Sequence, residues 1–197
     1  MSYSTSILYK IIYSSLNKKY KIIFHSIKDD KKNFSILLNN HYAKNIAMAS
    51  ENISSILLSQ YDLFINLLTQ LNLKLNSVCV EKDKTNCIAF IKISSENGND
   101  LFKIPAYVGD AIILALKSFV DIEISNLLFV ETKVDNINLY NKSKLQNKIE
   151  NHEFSPYKKN TDMMLMLQTA LDDCLIKENY ESAAFLRDRI KELNNKK

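Results

Sequence analysis

Arginine is almost missing from this chain: Arg187 and Arg189 are the only two, and lysine supplies the positive charge everywhere else. Two guanidinium groups within one helical turn suggest a task that needs their planar fork rather than bare charge. Glycine and proline are as scarce, with two of each, so turns have to be read from clusters of Asn, Asp and Lys. No apolar run reaches the ~18–20 residues that a membrane-spanning helix needs. Residues 1–14 lack a basic start followed by an apolar stretch with a small-residue cleavage site, so no signal peptide is expected. Cys79, Cys87 and Cys174 form no C-x-x-C pair, which argues against a zinc site. The formal charge of +4 is spread thinly. It permits contact with nucleic acid but lacks the basic stripe of a dedicated binder. The one lysine cluster, Lys28 with Lys31 and Lys32, lies beside Asp29 and Asp30 and reads as a solvated turn. These absences lead to the expectation of a soluble, cytoplasmic protein with reduced thiols.

What is present is enough for one ordinary domain and a small appendage: 197 residues, 46% of them hydrophobic. Ser6–Tyr13, Tyr20–Ile27 and Phe34–Leu38 are β-branched and aromatic, and short polar breaks separate them. They predict an antiparallel meander. From His41 to about Ser54, Ala43, Ile46, Ala47, Ser50 and Ile53 recur at helical spacing. A second helix is expected from Gln60 to about Leu73, with Leu63, Leu67, Leu68 and Leu71 as its apolar face and a capping box of Ser59 and Asp62. Asn76–Val80 and Asn86–Ile93 predict a hairpin that carries Cys79 and Cys87 on neighbouring strands. Leu101–Ile104 follows as a strand that Pro105 should interrupt. Gly109 and Asp110 then open a helix over Ala111–Phe119, with Ile112, Leu116 and Phe119 on one face. A short strand at Ile122–Ile124 closes the front part. The fold class read from this order is α+β, an antiparallel or mixed sheet with helices over residues 1–132, followed by a C-terminal αα-hairpin over 161–197. Residues 133–160, rich in Asn, Lys and acidic side chains, read as the linker between them.

In the tail, Leu165, Leu167, Leu171 and Leu175 mark one helix, Lys177-Glu178-Asn179 the turn, and Tyr180–Leu193 the second helix. The stretch Glu178-Asn179-Tyr180-Glu181-Ser182-Ala183-Ala184-Phe185-Leu186-Arg187-Asp188-Arg189-Ile190 resembles the UVR motif. That helical hairpin occurs in the subunits of the bacterial excision nuclease and in several other bacterial proteins. The resemblance implies that the tail binds another UVR hairpin, on a second copy or on another protein. Glu178, Tyr180, Ala183, Ala184, Arg187 and Asp188 would form the contact. Ala183 and Ala184 are small enough for a close helix approach, and Arg187 can fork onto a carboxylate. An amphipathic hairpin folded back on the front domain would show the same periodicity.

The front part resembles the bifunctional nuclease family. The resemblance rests on the order of elements and on Ile104–Leu116, above all Ala106 and Asp110-Ala111-Ile112. It implies hydrolysis of phosphodiester bonds in DNA or RNA, with Asp62 and Asp110 as catalytic residues and as ligands of Mg²⁺ or Mn²⁺. The chain departs from the family pattern at several polar points. Asn39 and Asn40 stand for glycines, Tyr42 precedes Ala43, Tyr61 stands where His precedes Asp, Pro105-Ala106-Tyr107 replaces Asp-Ala-Arg, and Gly109 replaces Ser. Both aspartates also have plain structural readings, Asp62 in the capping box and Asp110 in a first helical turn. Of the histidines, only His41 has the position of a general base. Two functions follow, a metal-dependent nuclease and a catalytically degenerate adaptor that acts through its tail. For the linker, limited proteolysis should cut between Lys133 and Lys159. Full protection of that segment would place the boundary elsewhere.

Overall fold

The computed structural model describes residues 2–29, 31–53, 59–84, 86–95, 101–131 and 161–195. The linker expected at 133–160 lies outside these residues. The chain opens with β1 (Tyr3–Ser14), β2 (Lys19–Ser26) and β3 (Lys32–Leu38), then α1 (Asn40–Ser50) and α2 (Gln60–Gln70). Next come β4 (Leu73–Asp83), β5 (Asn86–Ser95), β6 (Leu101–Ala106), α3 (Val108–Ser118) and β7 (Asp121–Ser125). A 3-10 turn at Asn126–Leu128 leads to β8 (Val130–Glu131), and the tail holds α4 (Thr161–Ile176) and α5 (Tyr180–Asn195).

Eight strands form one sheet in the order β6-β5-β4-β7-β1-β2-β3-β8. Every pairing is antiparallel except β4 with β7, where the chain crosses over through α3. The mixed α+β class and the meander of β1, β2 and β3 are therefore as the sequence indicates. Alternate strand residues such as Ile22, Phe24, Val78, Val80, Ile122 and Ile124 join one core with Ala43, Ile46 and Ala47 of α1 and Ile112 and Ile113 of α3. Period-two side chains on the strands thus meet the helical stripes.

Three local expectations are corrected. Pro105 does not interrupt its strand, because Pro105 pairs with Phe90 and Ala106 with Ala89. β6 is an edge strand, where the missing proline N–H costs no ladder bond. In α2 only Tyr61 and Leu68 are buried, whereas Leu63, Leu67 and Leu71 are exposed. Phe119, read as the last residue of α3 on one face with Ile112 and Leu116, is instead its exposed left-handed cap. Cys79 and Cys87 do lie on neighbouring strands, but Cys79 pairs with Phe90 and Cys87 with Lys82, and both are free thiols.

The shortage of glycine leaves a mark on the backbone. Lys18, Asn52, Asn72, Lys84, Phe119 and Glu178 all take positive φ. A side chain in that region costs roughly 1–2 kcal/mol, less for Asn, whose side chain tolerates it. Asn52 and Asn72 follow the ends of α1 and α2, where glycine is the usual choice.

The tail hairpin forms, with its turn at Lys177–Asn179, and folds back so that α4 packs on α1 and β1. Met163, Met166, Leu167, Ala170 and Leu186 belong to the same core as the sheet. Two ion pairs clasp it. Lys44 of α1 meets Asp173 of α4, and Arg189 of α5 sends Nε and one terminal nitrogen to the Glu51 carboxylate at 3.0 and 2.8 Å. The Glu51 side chain is only 2% exposed. Among the described residues no helix is long and apolar enough to cross a membrane. Arg189→Met would strand the Glu51 charge and should cost about 3–5 kcal/mol in urea unfolding. Adding Glu51→Gln should recover much of that loss. A cost below roughly 1 kcal/mol, the range of an exposed pair, would show that the hairpin does not cover Glu51 in solution.

Candidate functional site

α3 begins without a side-chain cap, and its first turn carries Asp110. Gly109, just before it, is fixed by close approach. A Cβ there would lie 2.5 Å from the Tyr42 ring, so only glycine lets α1 bring that ring onto α3. The Tyr42 ring in turn meets Tyr107, with centroids 5.0 Å apart. Asp110 accepts a hydrogen bond from the Tyr61 hydroxyl at 2.8 Å and a longer one from the Tyr42 hydroxyl at 3.4 Å. Burial raises the Tyr61 phenol well above its ordinary pKa, and its bond to Asp110 adds to the rise. Tyr42 is raised as well, by burial first and then by the Asp110 charge beside it. Both phenols therefore stay protonated donors to the carboxylate.

Asp62 sits one residue beyond Tyr61, at the start of α2. The expected capping box is formed: the Asp62 amide donates to Ser59 Oγ at 3.3 Å and the Ser59 amide to Asp62 Oδ2 at 2.9 Å, and the Ser59 hydroxyl adds a donation to the same oxygen at 2.5 Å. The other oxygen accepts from Lys117 Nζ at 2.5 Å, from the far end of α3. Burial pushes the Asp62 carboxyl up, but the Lys117 ammonium and the Ser59 donors outweigh it and hold it below its ordinary value.

Asp110 thus belongs to α3 and is held from α1 and α2, whereas Asp62 belongs to α2 and is held by the far end of α3, so the two candidate aspartates have different partners. Asp110 has two phenols and Asp62 an ammonium. A divalent cation at Asp62 would have to displace Lys117 or lie against it, and at Asp110 it would compete with two O–H donors. A hard metal site needs several convergent oxygens free of such partners. Among the described residues, no three His, Cys, Asp or Glu side chains gather where they could hold an ion. The donor set present therefore does not fit Mg²⁺ or Mn²⁺. His41 is exposed, with its ring 3.1 Å from the Asn45 amide. His25 stacks on Tyr9, and His152 lies outside the described residues.

Lys117 could not be read from the sequence as a partner of Asp62, because 55 positions separate them. Tyr42, Tyr61, Tyr107 and Gly109 did carry a signal. They are points at which the chain departs from the nuclease pattern, and the fold brings Tyr42 against Tyr61's partner Asp110, against Gly109 and against Tyr107.

A second polar cluster lies on the opposite strand positions. Glu81 accepts from the Tyr3 hydroxyl and from Lys103, both at 2.6 Å. Those bonds hold its carboxyl below the ordinary range and push the Tyr3 phenol up to about 12. Glu123 accepts from Lys92 at 2.6 Å and from the Cys79 thiol at 3.3 Å. Burial pushes the Cys79 thiol up, away from the thiolate that a nucleophile needs.

In the tail, Ala183 is buried and Ala184 is half-buried. Glu178 holds the turn with φ 56°, and Tyr180 is exposed. Arg187 is exposed and bonds its neighbour Asp188 at 3.0 Å. Arg189, the other arginine, sends two nitrogens to Glu51 Oε2 of the same chain. Helical phase turns Arg189 inward and leaves Arg187 outward.

The Lys117 contact gives a pH dependence with a defined sign. Asp62 has a lowered folded pKa, so its contribution to stability is present above the unfolded value, about 3.9, and is lost as pH falls through the folded one. Lys117→Met should therefore destabilise the protein at neutral pH, and the difference from wild type should shrink toward about pH 3, below that unfolded carboxyl value. Urea denaturation at both pH values checks this. A difference independent of pH would mean that packing of the lysine stem, not its charge, supports α2.

A comparison with curated proteins returned no match. A model of the UvrB/uvrC motif matches residues 167–196, which covers most of α4 and all of α5 described above. A model of the bifunctional nuclease domain matches residues 22–136, more than half of the chain. With the sheet and helices arranged as described, the chain belongs to the bifunctional nuclease domain family.

Proposed function

We propose that this chain works as a binding member of its nuclease family, a catalytically degenerate adaptor rather than a phosphodiesterase. One observation carries the reading: the carboxylates that would serve a metal are committed to internal partners, Asp62 to Lys117 and Asp110 to Tyr61 and Tyr42. In these roles they hold α1 and α2 against α3. The front domain is then a rigid platform, and the tail hairpin meets the partner. Its inner face is spent on the platform. Its outer face presents Leu165, Tyr180 and Phe185, with Glu178, Arg187 and Asp188 exposed among them. Apolar knobs among charges of both signs suit a second UVR hairpin, on another protein or another copy.

The nuclease reading keeps one observation of its own. A groove of about 860 Å³ runs beside the start of α3, lined by Lys21, Asn17, Asn86 and Tyr107 among others. A cation, two amides and an exposed ring are groups that could accept a strand of DNA or RNA. Cleavage separates the two readings. Labelled DNA and RNA oligonucleotides, single- and double-stranded, should stay intact with the full chain in Mg²⁺ or Mn²⁺. Cleavage that depends on added metal and disappears in Asp62→Asn or Asp110→Asn, while the melting temperature holds, would overturn the adaptor reading in favour of the enzyme.

A further inference from the structure

α2 has an outer face that no other described residue covers. Its inner side buries Tyr61 and Leu68, and Phe64 and Ile65 pack partly against the core. Leu63, Leu67 and Leu71 point the other way, 65%, 52% and 58% exposed. Three leucines at i, i+4 and i+8 make one straight ridge along the helix. Such a ridge on an exposed surface marks an interaction site more often than chance exposure.

Charge says what covers it. Asp62 is the one residue of α2 that is charged at neutral pH, and Lys117 already neutralises it. The residues exposed between the leucines are Asn66, Thr69 and Gln70. The outer face of the tail hairpin is different, with Glu181, Arg187, Asp188 and Lys191 exposed along α5. A twofold interface sets each patch against itself, so any charge near the axis meets its own like. An uncharged ridge avoids that repulsion, whereas a face of mixed charges suits a partner with the opposite pattern. Amides are self-complementary as well, because each is both donor and acceptor.

We infer that α2 is the contact between two copies of this chain, packed antiparallel across a twofold axis at Leu67. Leu63 of one copy then lies beside Leu71 of the other, and the i±4 ridge of each helix fills the groove of its mate. A helix of this length spans about 16 Å. The contact is therefore modest against the ~800 Å² per partner of a standard interface, and association depends on concentration. This contact is independent of the adaptor reading, which uses the tail.

Sedimentation equilibrium of the full chain should show a monomer–dimer equilibrium. Leu67→Glu, which places two carboxylates at the axis, should leave a monomer with unchanged helical content and melting temperature. Phe185→Glu, on the tail, should leave the dimer intact. Leu67→Cys should form a cross-linked dimer under mild oxidation that the wild-type chain, with its own three thiols, does not form. Leu63→Cys alone should not, whereas Leu63→Cys mixed with Leu71→Cys should. Wild-type chain that stays monomeric at about 100 µM, where even a modest interface is populated, overturns the inference. A dimer that survives Leu67→Glu, or one that Phe185→Glu abolishes, overturns it too.

Discussion

A carboxylate buried at the end of α1 makes the tail part of the fold. Glu51 caps α1, and its side chain is almost wholly removed from water. An ionised carboxylate in that position needs a paired cation that reaches it with hydrogen bonds. Arg189 supplies both from α5, at the other end of the sequence. The second clasp, Lys44 to Asp173, fixes α4 on the same helix. Between them Met163, Met166, Leu167 and Leu186 complete the core. A hairpin of two helices has little core of its own. Here it takes a share of the front domain's core, and its inner face is occupied as a result.

α3 organises the rest of the helical layer. Five consecutive residues, Ala111–Ala115, are buried, so the helix sits under both α1 and α2. Its two ends hold those helices through polar contacts, Asp110 to the tyrosines and Lys117 to Asp62. In a metal-dependent nuclease such carboxylates would be left open toward solvent and substrate. In this chain both carboxylates bond to neighbouring side chains and join α1 and α2 to α3. A fold does not fix chemistry; the side chains around the carboxylates carry it.

Much of this is legible in the residues. Period-two runs mark the strands of the meander and the β4–β5 hairpin, and helical spacing marks α1, α3 and the tail. Ser59 and Asp62 announce their cap. The failures have specific causes. Pro105 reads as a break because nothing local says that β6 is an edge. Leu63, Leu67 and Leu71 read as a buried face because periodicity reports amphipathicity, not which side meets the core. β8 pairs only two residues with β3, too few for any pattern. Lys117 with Asp62 and Arg189 with Glu51 are contacts between distant positions, and no local signal links them. The substituted positions Tyr42, Tyr61, Tyr107 and Gly109 can be picked out one by one, but only the fold shows that Tyr42 meets Gly109 and Tyr107 and joins Tyr61 on Asp110.

The central claim is that tail and front domain share one core, so that the hairpin offers a partner only its outer face. Native-state hydrogen exchange on the full chain tests it most directly. If the claim holds, amides of α1 from Ala43 to Ala49 and those in the middle of α4 and α5 open with the same free energy and the same denaturant dependence, as one cooperative unit. If α4 and α5 exchange freely while α1 stays protected to the global limit, the hairpin is not docked in solution, and its inner face is as open to a partner as its outer one.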